Sequence, residues 1–261
     1  MIRALSTAAT GMEAQQTRLD VTANNIANTS TAGFKKSRAE FSDLMYQTEK
    51  APGTATGAGT QAPTGLQVGL GVRTVATQRM HSQGELRQTG NPLDVAIEGR
   101  GFYPINLPSG ELAYTRDGAF KLDPEGKVVN SDGYELAGDI SIPPDAQNVA
   151  IGADGTVTVT VPGQTAPVEA GQIQLASFPN ESGLEATGRN LYRETAASGA
   201  AVLGAPNENG AGSLSQGTLE MSNVNVVEEM IDLISGQRAY EINSRVIKAA
   251  DEMLAQTAAI K

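Results

Sequence analysis

The residues able to do chemistry are few and poorly grouped. One histidine, His81, stands in Met80-His81-Ser82-Gln83-Gly84, and the chain has no cysteine. His/Cys metal centres and thiol catalysis are therefore excluded, and a lone imidazole in a loop reads as structural. Carboxylates are plentiful, with 29 Asp and Glu, and a suitably spaced pair would serve glycoside cleavage. Yet Asp117, Asp123 and Asp132 each belong to a turn signature (Asp117-Gly118, Asp123-Pro124-Glu125-Gly126, Ser131-Asp132-Gly133), where a short carboxylate takes up local N–H groups. Gly99-Arg100-Gly101 is too short for a phosphate loop, and Asp132-Gly133 lacks calcium-loop spacing. No catalytic residue, cofactor or metal is expected.

Charge narrows the partners. The 261 residues carry 19 Lys and Arg, for a net charge of −10, and the excess of acid lies in the middle of the chain. No basic cluster offers a nucleic-acid surface. Arg3, Glu13, Arg18 and Asp20 interrupt any signal-peptide core, and no later run is long and apolar enough for a membrane span.

The two ends carry the clearest pattern. Counted in sevens, one column reads Ile2, Ala9, Gln16, Ala23 and the next Leu5, Met12, Leu19, Ile26. Such an a/d stripe predicts a helix that buries its seam against a partner. From Val226 the large column is Val226, Leu233, Tyr240, Ile247, Leu254; the companion column is Glu229, Gly236, Asn243, Ala250, Thr257, mostly small, which predicts a close helix contact. Asn225, three residues before Glu228, has capping-box spacing. Gly236 costs roughly 1 kcal/mol relative to Ala within a helix, which a close approach offsets. The first helix is expected to stop where Asn24, Asn25 and Asn28 precede Gly33.

Between the ends the period changes to two. Leu66, Val68, Leu70 and Val72, then Val157, Val159 and Val161, alternate with polar or glycine residues, and turn residues separate short runs throughout. Ala51 to Gly65 holds only Gly, Ala, Thr, Pro and Gln and reads as a linker or irregular arm. The expected fold class is α plus all-β. Residues 1–30 form an N-terminal helix, 31–65 an extended arm, 66–213 a β-rich domain, and 214–261 an arm and C-terminal helix pairing with the first as a coiled-coil core.

Longer strings carry a resemblance. Asp20-Val21-Thr22-Ala23-Asn24-Asn25-Ile26-Ala27-Asn28-Thr29-Ser30-Thr31-Ala32-Gly33-Phe34-Lys35 resembles the N-terminal signature of the bacterial flagellar rod and hook proteins, and Ser222 to Met230 with Gln237 to Asn243 resembles their C-terminal one. Asp43 to Thr48, Gly65 to Gly69, His81 to Gly84, Asp94 to Ile97 and Ala113 to Gly118 look like the rod members in particular.

The resemblance implies a homo-oligomeric helical tube in the periplasmic rod, exported by the flagellar type III apparatus without signal cleavage. Its partners would be proximal rod proteins, the hook protein and the bushing ring in the outer membrane and peptidoglycan. The assembly seam would be Ile2, Leu5, Met12, Leu19 and Ile26 with Val226, Leu233, Tyr240, Ile247 and Leu254. Asn24, Asn25, Asn28, Gly33 and Phe34 would mark the helix-to-arm junction, and Pro52, Gly53, Pro63 and Gly65 a stiffening segment. The alternatives are another rod or hook subunit or, in a different class, a secreted carbohydrate-binding or hydrolytic β domain.

Overall fold

The computed structural model describes residues 2–53, 55–57, 60–61, 63–162, 166–208 and 210–259. Two helices lie at the ends, and the region between them is mostly β. Helix α1 spans Ile2–Ala27 and helix α2 spans Val226–Ala259. By its contacts the chain divides into two units interleaved in sequence: one of residues 1–27, 37–78 and 225–261, the other of 28–36 and 79–224. The chain thus passes between units after residues 27, 36, 78 and 224, whereas the expected stretches followed one another end to end.

In the first unit, α1 and α2 run antiparallel. A Cβ on Gly236 would lie 3.0 Å from Leu19 Cδ2, one on Gly11 would lie 2.9 Å from Asn243 Nδ2, and Asn25 reaches Glu229. Arg18 pairs with Asp232 at 2.6 Å on the exposed side. Asn225 caps α2, its Oδ1 accepting the N–H of Val227 at 3.1 Å, which satisfies a first-turn donor that has no partner within the helix.

The rest of this unit is a β ribbon of nested pairs. Ser37–Asp43 pairs with Val72–Arg79. Inside that, Tyr46–Lys50 pairs antiparallel with Leu66–Gly69, and Ala55–Gly57 with Thr60–Gln61. The stretch expected as a linker therefore includes a short antiparallel strand pair. The ribbon meets α1 at Gly71, whose φ of +126° and lack of a side chain let the backbone approach Thr10; a Cβ there would collide with Thr10 Oγ1.

The second unit is built on a seven-stranded sheet. In spatial order its strands are Lys121–Leu122, Val128–Val129, Glu135–Leu136, Tyr103–Asn106, Leu112–Thr115, Leu191–Arg193 and Glu185–Gly188. Alternation sorts its side chains to two faces. Tyr103, Ile105 and Ala113 join Val95, Ile97, Val157 and Val159 in the larger core, while Phe102, Tyr114 and Tyr192 join Phe178 and Leu184 in the smaller one. Tyr103 has no exposed surface, and its hydroxyl donates to the Val95 carbonyl at 2.8 Å, which satisfies a polar tip that would otherwise be costly to bury. The turn signatures lie between strands: Asp123 Oδ1 accepts the Lys127 N–H and Asp117 Oδ1 the Ala119 N–H.

Candidate functional site

A buried polar cluster of the second unit centres on Glu220. Glu220 Oε1 accepts from Lys35 Nζ at 2.6 Å and from the Gly84 N–H at 2.8 Å; Oε2 accepts from Arg116 Nε at 2.5 Å. Lys35, Glu220 and Arg116 are all buried. Two cations face one carboxylate, and the surplus positive charge is taken up by carbonyls: Arg116 donates to Gly101, Gly99 and Ile97, and Lys35 to Ser82. The Glu220 carbonyl also accepts the Gly33 N–H at 2.8 Å. Burial disfavours the Glu220 carboxylate, but Arg116 and Lys35 outweigh it and hold its pKa below the ordinary value.

These contacts set the junction loop. Gly33 has φ +67°, and a Cβ on it would lie 2.6 Å from the backbone nitrogen of Asp117. Glycine meets both demands. Phe34 is buried next to it in sequence, and the Asn190 amide donates to the Ala32 carbonyl at 3.1 Å.

Two asparagine amides hold the backbone where the chain changes units. Within the second unit, Asn223 Oδ1 accepts the Lys36 N–H at 2.7 Å, and its Nδ2 donates to the carbonyls of Met80 and Ser82. Within the first, Asn25 Oδ1 accepts the Ser37 N–H at 2.9 Å, and its Nδ2 donates to the Ser37 carbonyl and to Glu229 Oε2. Consecutive N–H groups, of Lys36 and Ser37, are thus claimed by different asparagines. Of the other predicted junction residues, Asn24 is exposed on α1 and Asn28 lies in the turn after it, its Oδ1 accepting from Thr31 Oγ1. Asn25 is a buried member of α1, so the expected stop residue instead ties that helix to the strand that follows. Sequence reasoning passed over Lys35, Arg116, Glu220 and Asn223 because nothing local marks a charge or an amide as buried.

The helix columns fall as follows. Leu5, Met12, Leu19 and Ile26 are half-buried, and the residues most enclosed on α1 are Ala8, Ala14, Thr22 and Asn25. Ala9, Gln16 and Ala23 are exposed, and the side chain of Ile2 lies outside the described set. On α2 the companion column is the covered one, with Glu229, Gly236 and Ala250 buried; Leu233, Ile247 and Leu254 are half-buried, and Val226 and Tyr240 exposed. A further face of α2 is apolar and open: Val227 is 66 % exposed, Ile231 61 % and Ile242 54 %. Pro52, Gly53, Pro63 and Gly65 are exposed beside the ribbon tip, and Gly65 sits so close to Lys50 that a Cβ would lie 2.7 Å from its carbonyl oxygen.

His81 packs edge-on between Phe102 and Tyr192, with ring centroids 5.4 and 5.6 Å away, and its Nδ1 has no hydrogen-bond partner. Burial lowers its pKa to about 4, the nearby Lys35, Arg79 and Arg116 adding to the effect and Glu181 opposing it. No group of three His, Asp or Glu among the described residues is placed to hold a metal, and no helix among them is long and apolar enough to cross a membrane.

Three outcomes follow from this chemistry. Glu220→Gln leaves two buried cations without a counter-charge and is expected to cost about 3–5 kcal/mol in urea unfolding at pH 7. A loss under 1 kcal/mol would refute the triad as a structural anchor. Below its own unfolded pKa, near 4.3, the wild-type protein is expected to lose the Glu220 contribution, because a depressed carboxylate pKa stabilises only above that range. His81 acts in a higher window. Its folded pKa is depressed, so the unfolded chain binds the extra proton and stability falls as pH drops from 6.5 toward 4, by about 3 kcal/mol. His81→Phe, which keeps the ring contacts, should flatten that slope; an unchanged pH profile would refute the assignment.

The chain matches three family models: flagella basal body rod protein over residues 5–35, flagellar hook protein FlgE/F/G D1 domain over 96–159, and flagellar basal body rod FlgEFG protein C-terminal over 215–260. Lys35, Arg116 and Glu220 come one from each matched segment. Similar relatives are the flagellar basal-body rod proteins FlgG of Buchnera aphidicola from Schizaphis graminum, 52 % identical over 97 % of this chain and 98 % of that one, and of Caulobacter vibrioides, 51 % identical over the full length of both. The FlgG of Bacillus subtilis is 42 % identical, again over both full lengths. The chain belongs to the FlgG family of flagellar basal-body rod proteins, and it is a structural subunit of the distal rod and not an enzyme.

Proposed function

We propose that the chain polymerises through its terminal helices into a rigid helical tube that carries motor torque to the hook and lines part of the export channel. The observation that carries this reading is the length of apolar helix left open. α2 covers α1 with one face and still exposes Val227, Ile231, Ile234 and Ile242 on another, and a patch of that kind marks an interaction site. In this reading α1 and α2 form a coiled-coil core in which the small column of α2 meets α1 within the subunit, and the seam of Leu5, Met12, Leu19 and Ile26 with Leu233, Tyr240, Ile247 and Leu254, left half-buried or exposed in the single chain, is completed by neighbouring subunits together with the remaining apolar surface. Repetition of one heterologous contact makes an open helix of unlimited length.

The other roles belong to the same proposal. Residues 51–65, with Pro52, Gly53, Pro63 and Gly65, stiffen the tube. The partners are proximal rod proteins, the hook protein, the surrounding bushing ring and the type III export apparatus. The location is the periplasmic rod, reached without signal cleavage. The relatives' names, flagellar basal-body rod protein, support the basal-body part of this statement.

Electron microscopy of the concentrated protein should show tubes, and Leu19→Asp should remove them at the same concentration while the β unit keeps its own unfolding transition; tubes from the variant would refute the seam. Deleting residues 51–65 should leave polymers that are more curved and flexible, with a persistence length lowered severalfold in micrographs. Polymers as straight as wild type would end the stiffening role.

A further inference from the structure

Resting on the homopolymer reading, the open faces of the two helices fit one another. On α1 the exposed residues Ala9, Glu13, Gln16, Asp20 and Ala23 share one side, small and acidic. On α2 the open apolar face carries Ile231, Ile234 and Ile242 around a shallow groove of about 460 Å³ that also contains Arg238. Arg245 is exposed two turns further along that face. Glu13 and Asp20 are seven residues apart, as are Arg238 and Arg245, so each pair is about 10.5 Å apart along its axis. Among the described residues none of the four makes an ion pair. The acids flank Gln16, with Ala9 and Ala23 beyond them, and the arginines rise from a face of isoleucines. Small residues on one helix admit large ones from another, and the charges match in sign and spacing.

We propose that α1 of a second copy of this chain docks on the open face of α2, with its Glu13 against Arg245 and its Asp20 against Arg238. The direction follows from symmetry. Copies in a polar helical assembly all point the same way, so the neighbour's α1 runs antiparallel to this α2, as the chain's own α1 does. This register differs from the one within the chain, where Gly11 faces Asn243 and Leu19 faces Gly236, by three to four residues, or ~5 Å along the axis. The two faces of α2 thus receive two copies of α1, one from each of two chains. The alanines let the second helix approach, the isoleucines supply the contact area, and the ion pairs fix the register.

The test uses the full chain and reads the critical concentration for polymerisation by sedimentation. Asp20→Arg and Arg238→Glu should each raise it at least tenfold, and the double variant Asp20→Arg with Arg238→Glu should bring it back to within about threefold of wild type. Far-ultraviolet circular dichroism should show all three folded, since both positions are exposed. Because the chain has no cysteine, mixing the single variants Glu13→Cys and Arg245→Cys should also give a disulfide-linked dimer under oxidation in the polymer and none in dilute monomer. Wild-type polymer with silent charge reversals, a double variant no better than the singles, or absence of the cross-link would overturn this docking alone. Failure of wild type to polymerise at all would remove the homopolymer reading and the docking with it.

Discussion

The arrangement of the β unit depends on one buried carboxylate bound by two cations. Placing Lys35, Arg116 and Glu220 out of water is costly, and a buried ion pair is often no more stabilising than apolar residues of the same volume. What it supplies here is direction. A carboxylate has few acceptor positions, and those of Glu220 are filled by a lysine after α1, the guanidinium that follows the strand Leu112–Thr115 and the N–H of Gly84. Its backbone carbonyl adds Gly33. Three stretches remote in sequence, around residues 33–35, 84 and 116, are fixed to one residue, and an apolar substitute at position 220 has no equivalent way to specify them. That each of the three family-matched segments contributes one charge fits an anchor that serves the shared architecture.

The asparagine amides act on the same problem at finer scale. A chain that leaves a unit and returns to it interrupts strands and helices, and every interruption strands backbone donors and acceptors. A side-chain amide carries both a donor and an acceptor on a short stem, so one residue can close both sides of a cut. Asn25 takes the N–H and the carbonyl of Ser37, and Asn223 takes the N–H of Lys36 and the carbonyl of Met80. Aspartate could accept but not donate, and glutamine would add a rotatable bond. A subunit that works as a mechanical element gains from such closures, since satisfied backbone resists local opening.

Helix α2 shows how a structural protein can present an open helix face in place of a catalytic centre. Its covered column is mostly small, with Gly236 lying against Leu19 of α1 and Ala250 buried, and a further, open face is large, with Ile231, Ile234 and Ile242. In an isolated chain, exposed isoleucines on a long helix are a liability. In the proposed polymer they become contact area, received by the exposed side of a neighbour's α1.

The seven-residue columns, the Asn225 cap and the turn chemistry were legible because each depends on residues within a turn or two of one another. The strings around Asn25 and Asn223 were long enough to point to the family. Sequence did not reveal which column of each helix is covered: a stripe of large residues suits a partner in the same chain or in another, and only packing assigned the small column of α2 to α1. Nor did it reveal the ribbon formed by residues 37–79, whose strands pair across up to about forty positions, or the convergence of Lys35, Arg116 and Glu220. By itself the sequence determined the local periods and the family, because these are written in neighbouring residues. Tertiary structure alone decided which charges are buried, which amides close the backbone and which helix face stays open, because each depends on groups brought together from distant parts of the chain.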